Sequence, residues 1–245
     1  MRIAISGTQN SGKSTLVRAF LQKWPMFGTP AKTYRDVLEE NKLEHSSNTN
    51  EETQLLILDW MLKTQESIPK DTNIIYDRCP WDNLAYTLVA NSYDQISDEV
   101  AAASISLVRE SMKHLDIIFW LPYDNEIKVV DDGVRDVNIE HLNEVDGVFA
   151  QLYEHYSENL ESDIFYPKED CPAIIPVEGK TVDDRLFYIS QFIDEAGALI
   201  EPDSNFFSEE NLQLMEQMLS DQNKAKSDDE TITKLLKEIK KSKNA

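Results

Sequence analysis

The stretch Gly7-Thr8-Gln9-Asn10-Ser11-Gly12-Lys13-Ser14 fits the phosphate-loop pattern G-x-x-x-x-G-K-[ST] at every fixed position. Its flanks are those the pattern requires. Arg2 to Ser6 reads as a short buried strand, and Ser14 to Trp24 reads as a helix with Leu16, Val17, Phe20 and Leu21 on one face. Glycines let the backbone curl around a polyphosphate while successive N–H groups and the helix N-terminus point at its charge. Gly7, Asn10, Ser11, Gly12, Lys13, Ser14 and Thr15 are therefore the candidate nucleotide-binding residues. Lys13 is expected to reach the β- and γ-phosphates, and Ser14 to place its hydroxyl on a magnesium ion.

Downstream, strands and helices alternate. Strand candidates fall at 29–33, 73–77, 116–121 and 173–177, and helix candidates at 34–43, 51–67, 81–90, 98–114, 139–160 and 181–195. Asn50 is placed to cap the third helix and Pro80 suits the first turn of the fourth. The pattern predicts a doubly wound α/β fold with a five-stranded parallel sheet and helices on both faces, over residues 1–195. Ligands in such sheets sit beyond the carboxyl ends of the strands. Residues 196–245 carry no strand signal and read as a C-terminal extension with helical segments at 208–219 and 231–243. Its lysine-rich end reads as a solvated helix or frayed terminus, with an oligomer or protein-partner contact as the alternative.

The formal net charge is -21, and a surface this acidic repels polyanions at long range. Nucleic-acid polymers are disfavoured as partners, whereas a few arginines and magnesium in a cleft still suit a small nucleotide. There is no apolar run of about eighteen residues to span a membrane, and the N-terminus enters a strand without a signal-peptide pattern. The expectation is a cytoplasmic protein. Cys79 and Cys171 are too few for a disulfide framework and too far apart for a metal knuckle; the four histidines have no metal-like spacing.

Four further groups fall at the carboxyl ends of predicted strands. In Asp77-Arg78-Cys79-Pro80 with Trp81-Asp82-Asn83, a strand-ending aspartate can hold magnesium through water, and Arg78 can meet a phosphate or a substrate hydroxyl with its planar fork. In Asp131-Asp132-Gly133-Val134-Arg135-Asp136, within a lid-like segment at 123–137, Arg135 would swing over the transferring phosphoryl group. In Tyr34-Arg35-Asp36, Arg35 can bind an acceptor phosphate and Asp36 can take the proton of an acceptor hydroxyl, in competition with Glu39 and Glu40. In Glu178-Gly179-Lys180-Thr181, Gly179 can let the backbone lie against the adenine base. Each has a bland counterpart: a surface ion pair for Asp77 and Arg78, an acidic loop for Arg135, a helix-start salt bridge for Arg35 and Asp36, and a simple turn for Gly179. Trp60, Trp81 and Tyr86 are core side chains or base-stacking platforms.

Gly7 to Ser14, Tyr34-Arg35, Asp77-Arg78-Cys79-Pro80 and Asp132-Gly133-Val134-Arg135-Asp136, taken in order, resemble the P-loop kinase group that includes the nicotinamide riboside kinase type of AAA-like domain, and more loosely the deoxynucleoside and nucleoside-monophosphate kinases. The resemblance implies an acceptor site between the helices after the second and third strands, with Arg35, Arg78 and the lid arginine Arg135 at the transfer site. In that family the second strand often ends in a glutamate, whereas here the stretch is Ala31-Lys32-Thr33-Tyr34, which moves the candidate base to Asp36. The function so read is ATP- and magnesium-dependent phosphoryl transfer to a small nucleoside, nucleotide or nucleotide-like acceptor. ATP is taken as donor because no Asn-Lys-x-Asp guanine element is present. The alternatives are a nucleotide-dependent ATPase or GTPase switch or regulatory module and, against the charge, a polynucleotide 5′-kinase.

Overall fold

Every residue of β1 (Arg2–Ser6) is buried, and the two-residue period of a strand sends Ile3 and Ile5 to one face of the sheet and Ala4 to the other. In the computed structural model, which describes residues 1–41, 43, 49–124, 138–157 and 171–200, this strand lies inside the sheet. It pairs in parallel with β2 (Ile74–Asp77) on one side and β3 (Ile117–Trp120) on the other, and β3 pairs in parallel with β4 (Ala173–Pro176). The order is β2-β1-β3-β4.

Helices cover both faces. Beneath Ile3, Ile5, Ile75 and Phe119 lie Leu16, Val17 and Phe20 of α1 (Lys13–Lys23) and Ile189 of α7 (Val182–Ile189). Against Ala4, Tyr76, Ile118 and Trp120 pack Leu58 of α3 (Glu51–Ser67), Trp81 and Leu84 of α4 (Pro80–Ser92), Val108 of α5 (Asp98–Ser111) and Phe149 of α6 (Ile139–Ser157). A short helix, α2 (Tyr34–Asn41), packs on α3 through Leu38, Ile57 and Met61. Asn50 does cap α3, its side chain accepting from the Thr53 N–H at 2.9 Å. Trp81 is a core residue, edge-on to Phe149 at 5.0 Å and to Trp120 at 6.2 Å. Met1–Leu199 forms one compact unit, and no helix among the described residues is long and apolar enough to cross a membrane.

The five-stranded expectation is corrected to four strands among the described residues. Residues 29–33 do not pair; Gly28 alone bridges Ile74, donating to the Asn73 carbonyl at 3.0 Å and accepting from the Ile75 N–H at 2.9 Å. Pro30 has no N–H to offer a ladder, and the exposed residues 31–33 turn at once into α2. The helix expected over 181–195 stops at Ile189, and the one over 98–114 closes in a 3₁₀ turn at Met112–His114. The helices expected at 208–219 and 231–243 lie outside the described residues.

Because Phe149 is fully buried between two tryptophans, Phe149→Ala should cost about 3–5 kcal/mol, read as a lower urea midpoint with little change in slope.

Candidate active site

The chain leaves β1 at Gly7 with a φ of 136°, and a Cβ there would stand 2.5 Å from the Leu121 carbonyl oxygen, so only glycine fits. Asn10 is left-handed at φ 63°, and Gly12 caps α1 at φ 89°. Lys13 opens the helix and is buried; its ammonium donates to the Thr8 carbonyl and, at 3.2 Å, to the Ser11 hydroxyl. Burial, reinforced by the nearby Arg78 charge, holds Lys13 well below the usual lysine range.

The register Ile5↔Asp77 between β1 and β2 brings Asp77 alongside the loop. Ser14 Oγ donates to Asp77 Oδ2 at 2.5 Å. Magnesium prefers oxygen ligands and is usually held by one or two carboxylates together with substrate phosphates, so this hydroxyl and carboxylate fit it. Arg78 follows at φ 81°, its N–H donating to the Ile5 carbonyl at 3.0 Å. Its guanidinium lies over the rings of Tyr34 and Tyr86, 5.2 Å from each centroid, and donates to the Gly7 carbonyl at 3.3 Å and the Tyr86 hydroxyl at 3.5 Å.

Asp82 joins these parts, a role sequence reasoning missed. Its carboxylate is buried: Oδ2 accepts from Ser6 Oγ at 2.7 Å and the Cys79 N–H at 3.0 Å, and Oδ1 accepts from the Gly7 N–H at 3.1 Å and Arg78 Nη1 at 3.3 Å. The available signal was its place three residues after Cys79, the spacing by which an N3 acid reaches back to the N-cap of α4. Arg185 was also missed. It sits on the inward stripe of α7, with Val182 three residues before and Ile189 four after, and its guanidinium bonds the Ser11 carbonyl at 2.7 Å and the Gly179 carbonyl at 3.0 Å. Gly179, at φ 123°, is thereby tied to the phosphate loop.

Two spaces result. One, of about 380 Å³, is lined by Lys13, Ser14, Thr15, Arg18, Arg35 and Asp77. The other, of about 450 Å³, is a cleft lined by Gln54, Ile57, Met61, Asn83 and Tyr86. Gln9 and Arg78 line both. Within the cleft Asn83 Nδ2 donates to Gln54 Oε1 at 2.7 Å, while the buried Asn83 Oδ1 has no partner.

Asp36 lines neither space. Its carboxylate accepts from the Thr33 N–H at 2.6 Å and the Thr33 hydroxyl at 2.8 Å, closing the first turn of α2. The Thr33 backbone and hydroxyl bonds hold its carboxyl below the ordinary aspartate value. The segment at 123–137 expected to form a lid is described only at Tyr123, whose N–H donates to Asp146 at 2.9 Å, and Asp124; Arg135 and Gly133 lie outside the described residues.

Truncating Asp82 strands a buried arginine, so Asp82→Ala should cost about 3–5 kcal/mol and should lower nucleotide affinity in whatever fraction stays folded, checked by chemical unfolding and nucleotide titration. The Asp36 bonds stabilise at neutral pH and are lost as pH falls through its depressed folded value. Asp36→Asn should therefore flatten the acid side of the stability profile slightly, seen in thermal melts across the acid range.

Residues 2–161 match a family described as an AAA domain. No curated protein matches the chain in sequence. Among solved structures, a NadR protein in complex with NR aligns at a TM-score of 0.56 and 16% identity over 83% of this chain and 53% of that one, so the chain spans about half of NadR. Thymidylate kinase from Candida albicans aligns at 0.52 and 20% identity over 82% and 94% of the two chains. Deoxyadenosine kinase from M. mycoides aligns at 0.54 and 17% identity over 78% and 97%. These likenesses place the fold among P-loop kinases, and the match over residues 2–161 makes the chain a member of the AAA domain family.

Proposed function

We propose that the protein is a magnesium-dependent kinase that moves the γ-phosphoryl group of ATP to a hydroxyl of a small nucleoside- or nucleotide-like acceptor. The observation that carries this reading is the pair of adjoining spaces that share Gln9 and Arg78. One space has the cations a triphosphate needs, and the other has the carboxamides and aromatic wall that suit a nucleobase. The kinase folds of its structural neighbours support it, and a NadR protein has been crystallised with NAD and AMP-PNP.

In this reading Lys13 leaves the Thr8 carbonyl for the β- and γ-phosphates, a stronger acceptor for its charge. Ser14 and Asp77 hold the magnesium, which offsets phosphate charge. Arg78, fixed between Tyr34 and Tyr86, faces the acceptor hydroxyl's side of the transfer, and Arg35 and Arg18 add charge at the rim. Arg135 in the lid contributes the covering charge expected of that segment. Catalysis of this kind rests on positioning and electrostatics, so the reading assigns the main work to these cations and leaves Asp36 to its cap. Asn83 Oδ1 and Gln54 read the edge of the acceptor ring, while Gly179 lies against the donor base.

The test is ADP release from ATP and magnesium with and without a panel of nucleosides and nucleoside monophosphates, with products identified by mass. One acceptor should stimulate turnover and appear phosphorylated. Lys13→Ala should lower kcat by about a hundredfold or more. Gln54→Leu should raise the acceptor KM by about tenfold with the ATP KM unchanged. ATP binding with no stimulation by any acceptor would contradict the proposal.

A further inference from the structure

The phosphate loop follows the carboxyl end of β1 and the turn at Gly179 follows that of β4, and in the order β2-β1-β3-β4 the strand β3 lies between them. β1 and β4 therefore share no backbone ladder, and strands two places apart in a sheet stand about 10 Å from each other. Arg185 of α7 crosses that gap with one guanidinium: Nη1 donates to the Ser11 carbonyl at 2.7 Å and Nε donates to the Gly179 carbonyl at 3.0 Å. The side chain is buried, so water competes little for either bond.

Both turns are shaped for this approach. Gly12 has a φ of 89°, and a Cβ on it would stand 3.0 Å from Arg185 Nη1. Gly179 has a φ of 123°, and a Cβ on it would stand 2.7 Å from Asp184 Cβ and 3.0 Å from the Arg185 backbone nitrogen. The helix that carries the arginine is itself fixed at its start. The Thr181 N–H donates to the Asp184 carboxylate at 3.0 Å, and the Asp184 N–H donates to the Thr181 hydroxyl at 3.1 Å. At its far end Ile189 packs into the same core as Leu16 and Phe20 of α1. A lysine at 185 would keep the charge but lack the planar fork that reaches both carbonyls.

A nucleoside triphosphate bound as proposed above spans the two turns, with its phosphates on the loop and its base against Gly179, so the separation of the turns decides whether both halves are gripped at once. We propose that Arg185 is a positioning residue that sets the register between the phosphate loop and the Gly179 turn and thereby the affinity for the nucleoside half of the donor, a step that rests on the reading of Gly179 as the seat of the donor base. The polyphosphate half is held without it. When Arg185 is removed the loop keeps its ties on the opposite flank, the Gly7 N–H on Asp82 at 3.1 Å and the Gln9 N–H on the Tyr86 hydroxyl at 2.9 Å.

The test is calorimetric titration of ATP and of inorganic tripolyphosphate, each with magnesium, into the full chain and into Arg185→Met, Arg185→Lys and Gly179→Ala, with thermal melting to confirm that each variant is folded. The wild type should bind ATP more tightly than tripolyphosphate. Arg185→Met should bind ATP about tenfold or more weakly than the wild type and tripolyphosphate within about threefold of it. Arg185→Lys should show the same selective loss, because the charge stays and the fork does not. Gly179→Ala, which disturbs the other end of the tie, should show it too. A merely structural role for Arg185 would leave the preference for ATP over tripolyphosphate where it is in the wild type. An unchanged preference in a folded Arg185 variant, or an equal loss of both ligands, therefore overturns the proposal while leaving the base at Gly179. A wild type that binds the two ligands alike would instead overturn the placing of the base there, and the proposal with it.

Discussion

The buried carboxylate of Asp82 is the interaction on which the site depends. Five donors, the Cys79 thiol among them, converge on it from three pieces of chain: the end of β1, the first residue of the phosphate loop, and the turn that opens α4. Without it the Gly7 N–H and the Arg78 guanidinium would both be buried without a full complement of partners, and the loop would lose its fixed distance from the cleft lined by Gln54 and Asn83. Arg185 performs the matching task from the other side, joining the Ser11 carbonyl to the turn at Gly179. The phosphate loop is thus clamped from both flanks by buried charged side chains, one acidic and one basic.

The sheet delivers these groups to one place. Parallel pairing of β1 with β2 in the register Ile5↔Asp77 puts the Asp77 carboxylate beside the loop, and the turn after β2 starts both Arg78 and the capping acid of α4 within six residues. Lys13, Arg18, Arg35 and Arg78 come together in a chain whose net charge is -21. A small cleft can hold such a local excess of positive charge against an acidic surround because the low-dielectric walls confine its field, which favours a compact anion over a long polyanion.

The parallel α/β architecture and the loop geometry at Gly7 to Ser14 are legible in the sequence because they are local. The glycine spacing, the flanking strand and the helix are written within residues 2–24, and Asp77 and Arg78 follow a short apolar strand with a proline after it. The strand expected at 29–33 does not form, because Pro30 lacks an N–H and the immediate turn into α2 removes pairing partners. Asp36 looked like a base because acid follows arginine at a strand end, and only the bond to Thr33 reveals a cap. The partners of Asp82, Arg185, Gln65 and Asn83 were opaque for a common reason. Each is a polar residue on the buried face of a helix, and its partners lie 3 to 174 residues away in sequence or are missing altogether.

The central claim is that one rigid junction, built on Asp82 and Arg78, aligns a donor space with an acceptor space. A crystal structure with magnesium and a bisubstrate analogue, a nucleoside joined to adenosine through a polyphosphate, tests it most directly. The account predicts that the polyphosphate fills the loop with Lys13 released from Thr8, that magnesium lies on Ser14 and Asp77, and that the second nucleoside enters past Arg78 to Gln54 and Asn83 with the Asp82 bonds intact. An analogue bound through its adenosine alone, with the second nucleoside outside the cleft or Asp82 detached from Gly7, would contradict it.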